Sequence, residues 1–181
     1  MDEIDSALLV LRLVIGGVVV VHGLNHAFGG GRLPGAARWF ESLGLRYGMA
    51  QAAASVIVEL AAGAGLALGL LTPFAAAGVI GVMVVAGFAA HRRHGFFVFK
   101  DGYEYVLVLG LGALVIAIAG PGTASLDAVL GIAVAGAWPA LIAGGLGVAG
   151  AAVLLGATYR PRSVGQAAAA NGSPTGGDGD Q

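Results

Sequence analysis

The chain has 181 residues, a formal net charge of −1 and a mean hydropathy of +0.88, with 57% of its residues hydrophobic and 10% charged. Soluble domains carry about 25% charged residues, so this composition excludes an ordinary water-soluble globule and predicts an all-α, polytopic transmembrane helical bundle in the lipid bilayer. The near-neutral charge gives no reason to expect a nucleic-acid partner. Cysteine is absent, which excludes disulfides, thiol nucleophiles and thiolate metal ligands.

Long apolar runs predict the membrane-spanning helices in chain order. A helix needs about 20 apolar residues to cross the hydrocarbon core. The first run covers residues 7–28, and its acidic start and Arg12 favour a retained span over a cleaved signal peptide. Residues 49–90 are long enough for two spans, with Thr72-Pro73 at the turn between them, because proline is favoured in a first helical turn. The fourth and fifth spans are predicted at 103–119 and 138–157.

The basic residues predict the orientation of this five-span arrangement. Eight of the nine fall in loops 29–48 and 91–102 or in the C-terminal tail, all on one side: Arg32, Arg38, Arg46, Arg92, Arg93, Lys100, Arg160 and Arg162. The positive-inside rule makes that side cytoplasmic. We therefore expect a multi-pass plasma-membrane protein with its N-terminus outside and its C-terminus in the cytoplasm.

The segments between and after the spans have their own patterns. Trp39, Phe40 and Leu43 recur at helical spacing, which predicts a short amphipathic helix near 34–44 in the membrane interface. Residues 126–136 are expected to lie in the interface or to fold back on the bundle. The tail, 160–181, is rich in Gly, Ser, Pro and Asp, which predicts a disordered cytoplasmic segment.

Two charged residues, Arg12 and Glu59, fall inside the predicted spans. A charge at the centre of a membrane helix costs about 2.5–3.5 kcal/mol on insertion scales, so such residues usually pair or face a wet cavity. Helical rise places Glu59 roughly 15 Å and Arg12 roughly 22 Å from the cytoplasmic boundary. We expect an intramembrane charge pair, with a protonated Glu59 or a proton or ligand site as the alternatives.

All four histidines fall at the predicted cytoplasmic end. His22 and His26 are four residues apart and share a face of the first span, while His91 and His94 close the third. With neighbouring polar residues they form a candidate ligand or quinone site: His22, Asn25, His26, His91, His94, Tyr103 and Glu104. Their spacing matches no metal-ligand signature, so no metal site is expected, and simple polar anchoring at the interface is the competing interpretation. No residue is singled out as catalytic.

A series of short motifs runs through residues 8–130 in a fixed order. They are Arg12, His22-Gly23, Trp39-Phe40-Glu41-Ser42-Leu43-Gly44, Glu59 with Leu66-Ala67-Leu68-Gly69-Leu70, the stretch from His91 through Phe97, Gly102-Tyr103-Glu104-Tyr105, Gly120-Pro121-Gly122 and Ser125-Leu126-Asp127. Their order and spacing resemble the DoxX family of membrane proteins. The resemblance implies a four-helix membrane core within 1–130, which leaves 131–159 as an additional transmembrane helix and 160–181 as the tail.

The resemblance also has functional implications. It implies kinship with the small membrane subunit of thiosulfate:quinone oxidoreductase and with membrane proteins linked to sulfur-redox and oxidative-stress complexes. We therefore expect a membrane subunit or anchor that supports a redox-enzyme partner, with a quinone as the candidate cofactor; a homo-oligomer is compatible with the sequence. The alternatives are a small-molecule or proton-coupled transporter and a structural assembly factor without turnover. His26 departs from the family pattern, since many relatives carry a Lys-like residue there.

Overall fold

The computed structural model describes residues 1–161, and over this range the chain is α-helical, as predicted. Residues 162–181 lie outside the described part, and with them all but the start of the expected tail. The α-helices are α1 (Glu3–Phe28), α2 (Arg32–Ser42), α3 (Gly48–Leu68), α4 (Thr72–Ala86), α5 (Glu104–Ala119), α6 (Leu126–Val129) and α7 (Ala137–Thr158). A π turn, Gly87–His91, and a 3₁₀ turn, Arg92–His94, extend α4, and a second 3₁₀ turn spans Val98–Lys100.

Within residues 1–161, four helical segments are long and apolar enough to cross a membrane: Glu3–Phe28, Gly48–Leu68, Thr72–His94 and Ala137–Thr158. The predicted multi-pass bundle is therefore confirmed. The helix α5 is apolar but has only 16 residues. At 1.5 Å per residue it is about 24 Å long, shorter than most spans. It packs against α1, α4 and α7, and its crossing of the bilayer stays a prediction.

Two helix pairs make close backbone contacts. A Cβ atom on Gly16 of α1 would overlap the carbonyl oxygen of Gly63 on α3. A Cβ atom on Gly147 of α7 would lie 2.8 Å from the carbonyl oxygen of Ala77 on α4. Small residues permit such approaches between membrane helices, where dispersion contacts replace the hydrophobic driving force. We refer to these pairs as the α1/α3 pair and the α4/α7 pair.

The short helix α2 occupies the segment in which an amphipathic helix was expected. Its Ala37 and Phe40 are buried and cluster with Leu45 and Ala52 against α3. Trp39 is partly exposed at the same end. That end of the bundle also carries seven of the eight Lys and Arg residues in 1–161, all except Arg12, and we call it the basic end: Arg32, Arg38, Arg46, Arg92, Arg93, Lys100 and Arg160.

Residues 126–136 fold back on the bundle, which is one of the two arrangements expected for them. The side chain of Ser125 accepts a hydrogen bond from the Ala128 amide at the start of α6. The Gly136 amide donates to the carbonyl oxygen of Ile118 (2.7 Å). These bonds satisfy backbone groups that lipid could not.

Asp127 holds this returning segment against the α3–α4 turn. Its side chain is 1% exposed. Its Oδ1 accepts from the Leu71 amide (2.7 Å), and its Oδ2 accepts from the amide (2.9 Å) and the hydroxyl (2.6 Å) of Thr72. A carboxylate at a helix N-terminus binds amides that have no partner within the helix and favours the positive end of the helix dipole. Asp127 therefore caps α4 from a distant part of the chain.

We expect Asp127→Asn to lower the thermal stability of the purified protein in detergent. The new amide group faces backbone donors, and an unsatisfied buried donor costs about 1–3 kcal/mol. Circular dichroism during heating measures the effect. Asp101→Asn is the matched control, because Asp101 is exposed and lies in a left-handed conformation that Asn tolerates. Equal unfolding midpoints for the two variants would contradict this role of Asp127.

Candidate functional site

A cavity of about 580 Å³ lies between the α1/α3 pair and the α4/α7 pair, toward the basic end. Apolar and small side chains of α3, α4 and α7 form most of its wall, and α2 contributes the aromatic rings of Trp39 and Phe40. Small-molecule sites usually enclose about 300–1,000 Å³ and combine apolar walls with a few polar groups. The size and lining of this cavity fit that description.

Glu59 is the acidic residue in the cavity wall. Its side chain is 3% exposed. One carboxyl oxygen, Oε1, accepts a hydrogen bond from Ser55, which lies one helical turn earlier and also lines the cavity. The other oxygen, Oε2, is buried and has no hydrogen-bond partner. An unpartnered buried polar atom costs free energy, so a donor supplied by a ligand would stabilise it.

His22 and Tyr105 bring polar groups from two other helices. The His22 Nε2 atom lies 3.4 Å from the Tyr105 hydroxyl, and the ring centroids are 5.9 Å apart. At the neighbouring Gly23, a Cβ atom would lie 3.0 Å from the Glu59 Cβ. Helices α1, α3 and α5 therefore converge on one polar side of the cavity.

His26 and His91 lie nearer the basic end of the same cavity. The His26 ring packs against Trp39 and Phe40, with centroid distances of 6.0 and 5.5 Å, and its Nδ1 atom is buried without a partner. The Nδ1 atom of His91 donates to the Asp101 carbonyl oxygen (2.7 Å). His91 ends the π turn, a feature that often occurs at functional sites.

The remaining residues of the predicted cluster do not line this cavity. Glu104 instead accepts from the Val98 amide (2.9 Å) and so orders the loop before α5. Tyr103 lines a separate groove on the outside of the bundle. His94 and Asn25 are exposed at the basic end. The predicted cluster is therefore divided, with His22, His26 and His91 in the cavity and the other four members outside it.

Sequence reasoning missed three polar residues of the cavity wall: Gln51, Ser55 and Tyr105. Gln51 and Ser55 precede Glu59 at helical spacing, so a polar stripe on α3 was a readable signal. Tyr105 had only its place in a family motif to mark it. Its side chain contacts His22, which is 83 residues away in the chain.

The predicted charge pair between Arg12 and Glu59 is not formed. Arg12 is buried, its Nη2 donates to the Ala124 carbonyl oxygen (2.5 Å), and its guanidinium packs on Gly69. Asp127 is near enough to interact with its charge. On α3, Glu59 precedes Gly69 by ten residues, which is about 15 Å of helix. Helical rise gives the distance of each residue from the cytoplasmic boundary but does not give the register of α1 against α3. That register separates the two side chains.

Within residues 1–161, no group of three or more His, Asp or Glu side chains is placed to hold a metal ion. Most polar groups of the cavity come from α1, α3 and α5, with His91 at the end of the α4 span, and the residues of α4 and α7 that line it are apolar or glycine. This arrangement suits an organic molecule that combines a hydrogen-bonding head with an apolar body.

The helices define a multi-pass α-helical membrane protein with a largely apolar cavity inside the bundle. The family model of DoxX matches residues 7–92. This match confirms the resemblance to that family over residues 7–92, from α1 to Arg92. The expected resemblance at 93–130 lies beyond the matched range. Comparisons with curated proteins and with solved structures found no match.

We expect Glu59→Gln to fold as well as the wild-type protein. The glutamine Oε1 can still accept from Ser55, and the substitution removes an ionisable group from the bundle interior. Thermal unfolding in detergent should give an unchanged or higher midpoint. Gly63→Val in the same helix is the contrasting variant, because its Cβ would lie 2.8 Å from the Gly16 carbonyl oxygen. A fall in stability for Glu59→Gln would indicate that Glu59 serves the fold.

Proposed function

We propose that this protein is a membrane subunit that binds a quinone in its cavity and supports a redox-enzyme partner at the plasma membrane. The observation that carries the proposal is the Oε2 atom of Glu59, buried without a partner in the wall of an otherwise largely apolar cavity. The match of residues 7–92 to the DoxX family model supports it, because the resemblance to that family implies redox complexes.

The residues of the cavity fit the chemistry of a quinone head. A quinone carries carbonyl groups that accept hydrogen bonds, and its reduced form carries hydroxyl groups that donate them. Glu59 can accept through Oε2 when ionised or donate from it when protonated. His22 and Tyr105 offer a second polar contact, and the apolar walls suit an isoprenoid tail.

A bound quinone would supply two-electron, two-proton redox chemistry. The chain's own residues would hold and position the head, and Glu59 and His22 can each carry a proton. Because the chain has no cysteine, thiol chemistry in such a complex would belong to the partner. A proton-coupled carrier would be suggested by Arg12 and Glu59 acting together inside the membrane. These residues have separate partners, so we do not favour that alternative.

The two tryptophans make ligand binding measurable. Trp39 lines the cavity, whereas Trp138 is exposed near the start of α7, at the opposite end. A short-chain benzoquinone added to the purified protein should quench tryptophan fluorescence saturably. The quenching should persist in Trp138→Phe and disappear in Trp39→Phe. Glu59→Leu, whose side chain can neither donate to nor accept from the quinone head, should weaken the apparent Kd by about tenfold, the loss of one good hydrogen bond.

Glu41→Leu is the control for this titration, since Glu41 is exposed and lies outside the cavity lining. Non-saturable quenching, or equal affinities for the Glu59 and Glu41 variants, would remove quinone binding from the proposal. The partner is tested separately by purification from membranes in mild detergent. A protein that comes out without any redox enzyme would contradict the subunit role.

We further propose that the basic end faces the cytoplasm and that α5 crosses the bilayer. The lack of cysteine makes single-cysteine labelling clean. Phe99 and Val129 flank α5 and are 77% and 80% exposed. With an impermeant maleimide, Val129→Cys should be labelled in intact cells and Phe99→Cys only after permeabilisation. Labelling of both in intact cells would show that α5 does not cross.

A further inference from the structure

A second cavity, of about 470 Å³, forms a groove on the outside of the bundle between α4, α5 and α7. Leu107, Leu111 and Val148 line it and are partly exposed, so the groove is open to the lipid. From Ile80 to Arg92 it follows the α4 span for roughly 18 Å by helical rise. That length and the apolar lining match a lipid acyl chain.

Small residues give the groove its depth. Gly87, Gly110 and Gly144 come from the three surrounding helical segments and line it. A Cβ atom on Gly144 would meet only Leu114, at 3.9 Å, and one on Gly110 would meet Met83 at 3.5 Å. The space at Gly144 is therefore nearly open to a ligand, whereas a side chain at Gly110 would already contact Met83 of α4.

Arg92 lies at the basic end of the groove. Its guanidinium carbon is 4.0 Å from the centroid of the Phe88 ring, and its Nε donates to the Phe88 carbonyl oxygen (2.9 Å). Within residues 1–161, this is the one hydrogen bond that the guanidinium makes. Phe88 thus fixes the guanidinium in place and leaves its terminal nitrogens free to bind an anion.

We propose that this groove binds an anionic phospholipid, with an acyl chain along the apolar wall and the phosphate at Arg92. The charge complementarity carries the proposal: a cation is held at one end of an apolar, chain-length groove. Tyr103 lines the same end and offers a hydroxyl to the headgroup. The proposal does not rest on the proposed quinone binding; the two cavities are adjacent and share Met83 and Val106 in their walls.

Neighbouring arginines supply a matched test of the headgroup. Arg93 is exposed and lies outside the groove lining. The full chain in mild detergent is offered equimolar phosphatidylglycerol and phosphatidylcholine with the same acyl chains, and bound lipid is counted by native mass spectrometry. The wild type and Arg93→Gln should prefer phosphatidylglycerol by about fivefold or more, and Arg92→Gln should bind the two lipids equally.

Neighbouring glycines supply a matched test of the site proposed for the acyl chain. Gly144→Val should lower phosphatidylglycerol retention because its side chain enters the groove. Gly145→Val should not, since Gly145 lies outside both cavities and a Cβ there meets nothing within 4 Å. Equal binding of both lipids by the wild type, equal effects of the two arginine variants, or unchanged retention in Gly144→Val would overturn the proposal. Displacement of the lipid by inorganic phosphate alone would also overturn it, since that would indicate a plain anion site.

Discussion

The backbone contact between Gly16 and Gly63 sets the register of α1 against α3, and with it the surroundings of both buried charges. Toward one end, this register brings Gly23 and His22 beside Glu59. Toward the other end, it brings Arg12 onto Gly69. Because membrane helices associate through close packing, one pair of glycines can determine which polar groups meet.

The two ends of the bundle handle polar groups differently. Away from the basic end, the segment 121–127 is bonded to α1 and to the α3–α4 turn: the Thr123 amide donates to Asp5 (2.9 Å), and Asp127 caps α4. Toward the basic end, the α1/α3 and α4/α7 pairs leave space between them, and Glu59 and His26, which each have an unpartnered polar atom, line the cavity there; Arg12, whose Nε and Nη1 also have no partner, lies outside that cavity. The hydrogen bonds at one end thus hold the helices together and permit a cavity at the other end.

Much of the fold could be predicted from composition and periodicity. Hydropathy located the helices, and Thr72-Pro73 marked the start of α4, because these signals are local. The capping of α4 by Asp127 could not be predicted, since the two partners are 55 residues apart and only tertiary packing joins them. For the candidate site, depth along each helix predicts that all four histidines lie at the basic end, and three of them, His22, His26 and His91, line the cavity there. It could not divide His22 from Asn25 or His91 from His94, because the rotation of each helix decides which side chains face the cavity.

The π turn at Gly87–His91 has a consequence for comparing relatives of this chain. It is followed at once by Arg92, so that consecutive residues serve the inner cavity and the outer groove. A π turn carries one residue more than the corresponding α turn. A homologue with a single deletion here would rotate the following 3₁₀ turn, Arg92–His94, by about 100° relative to α4. The length of this turn in an alignment would therefore separate homologues in which the residue equivalent to Arg92 faces the outer groove from those in which it does not.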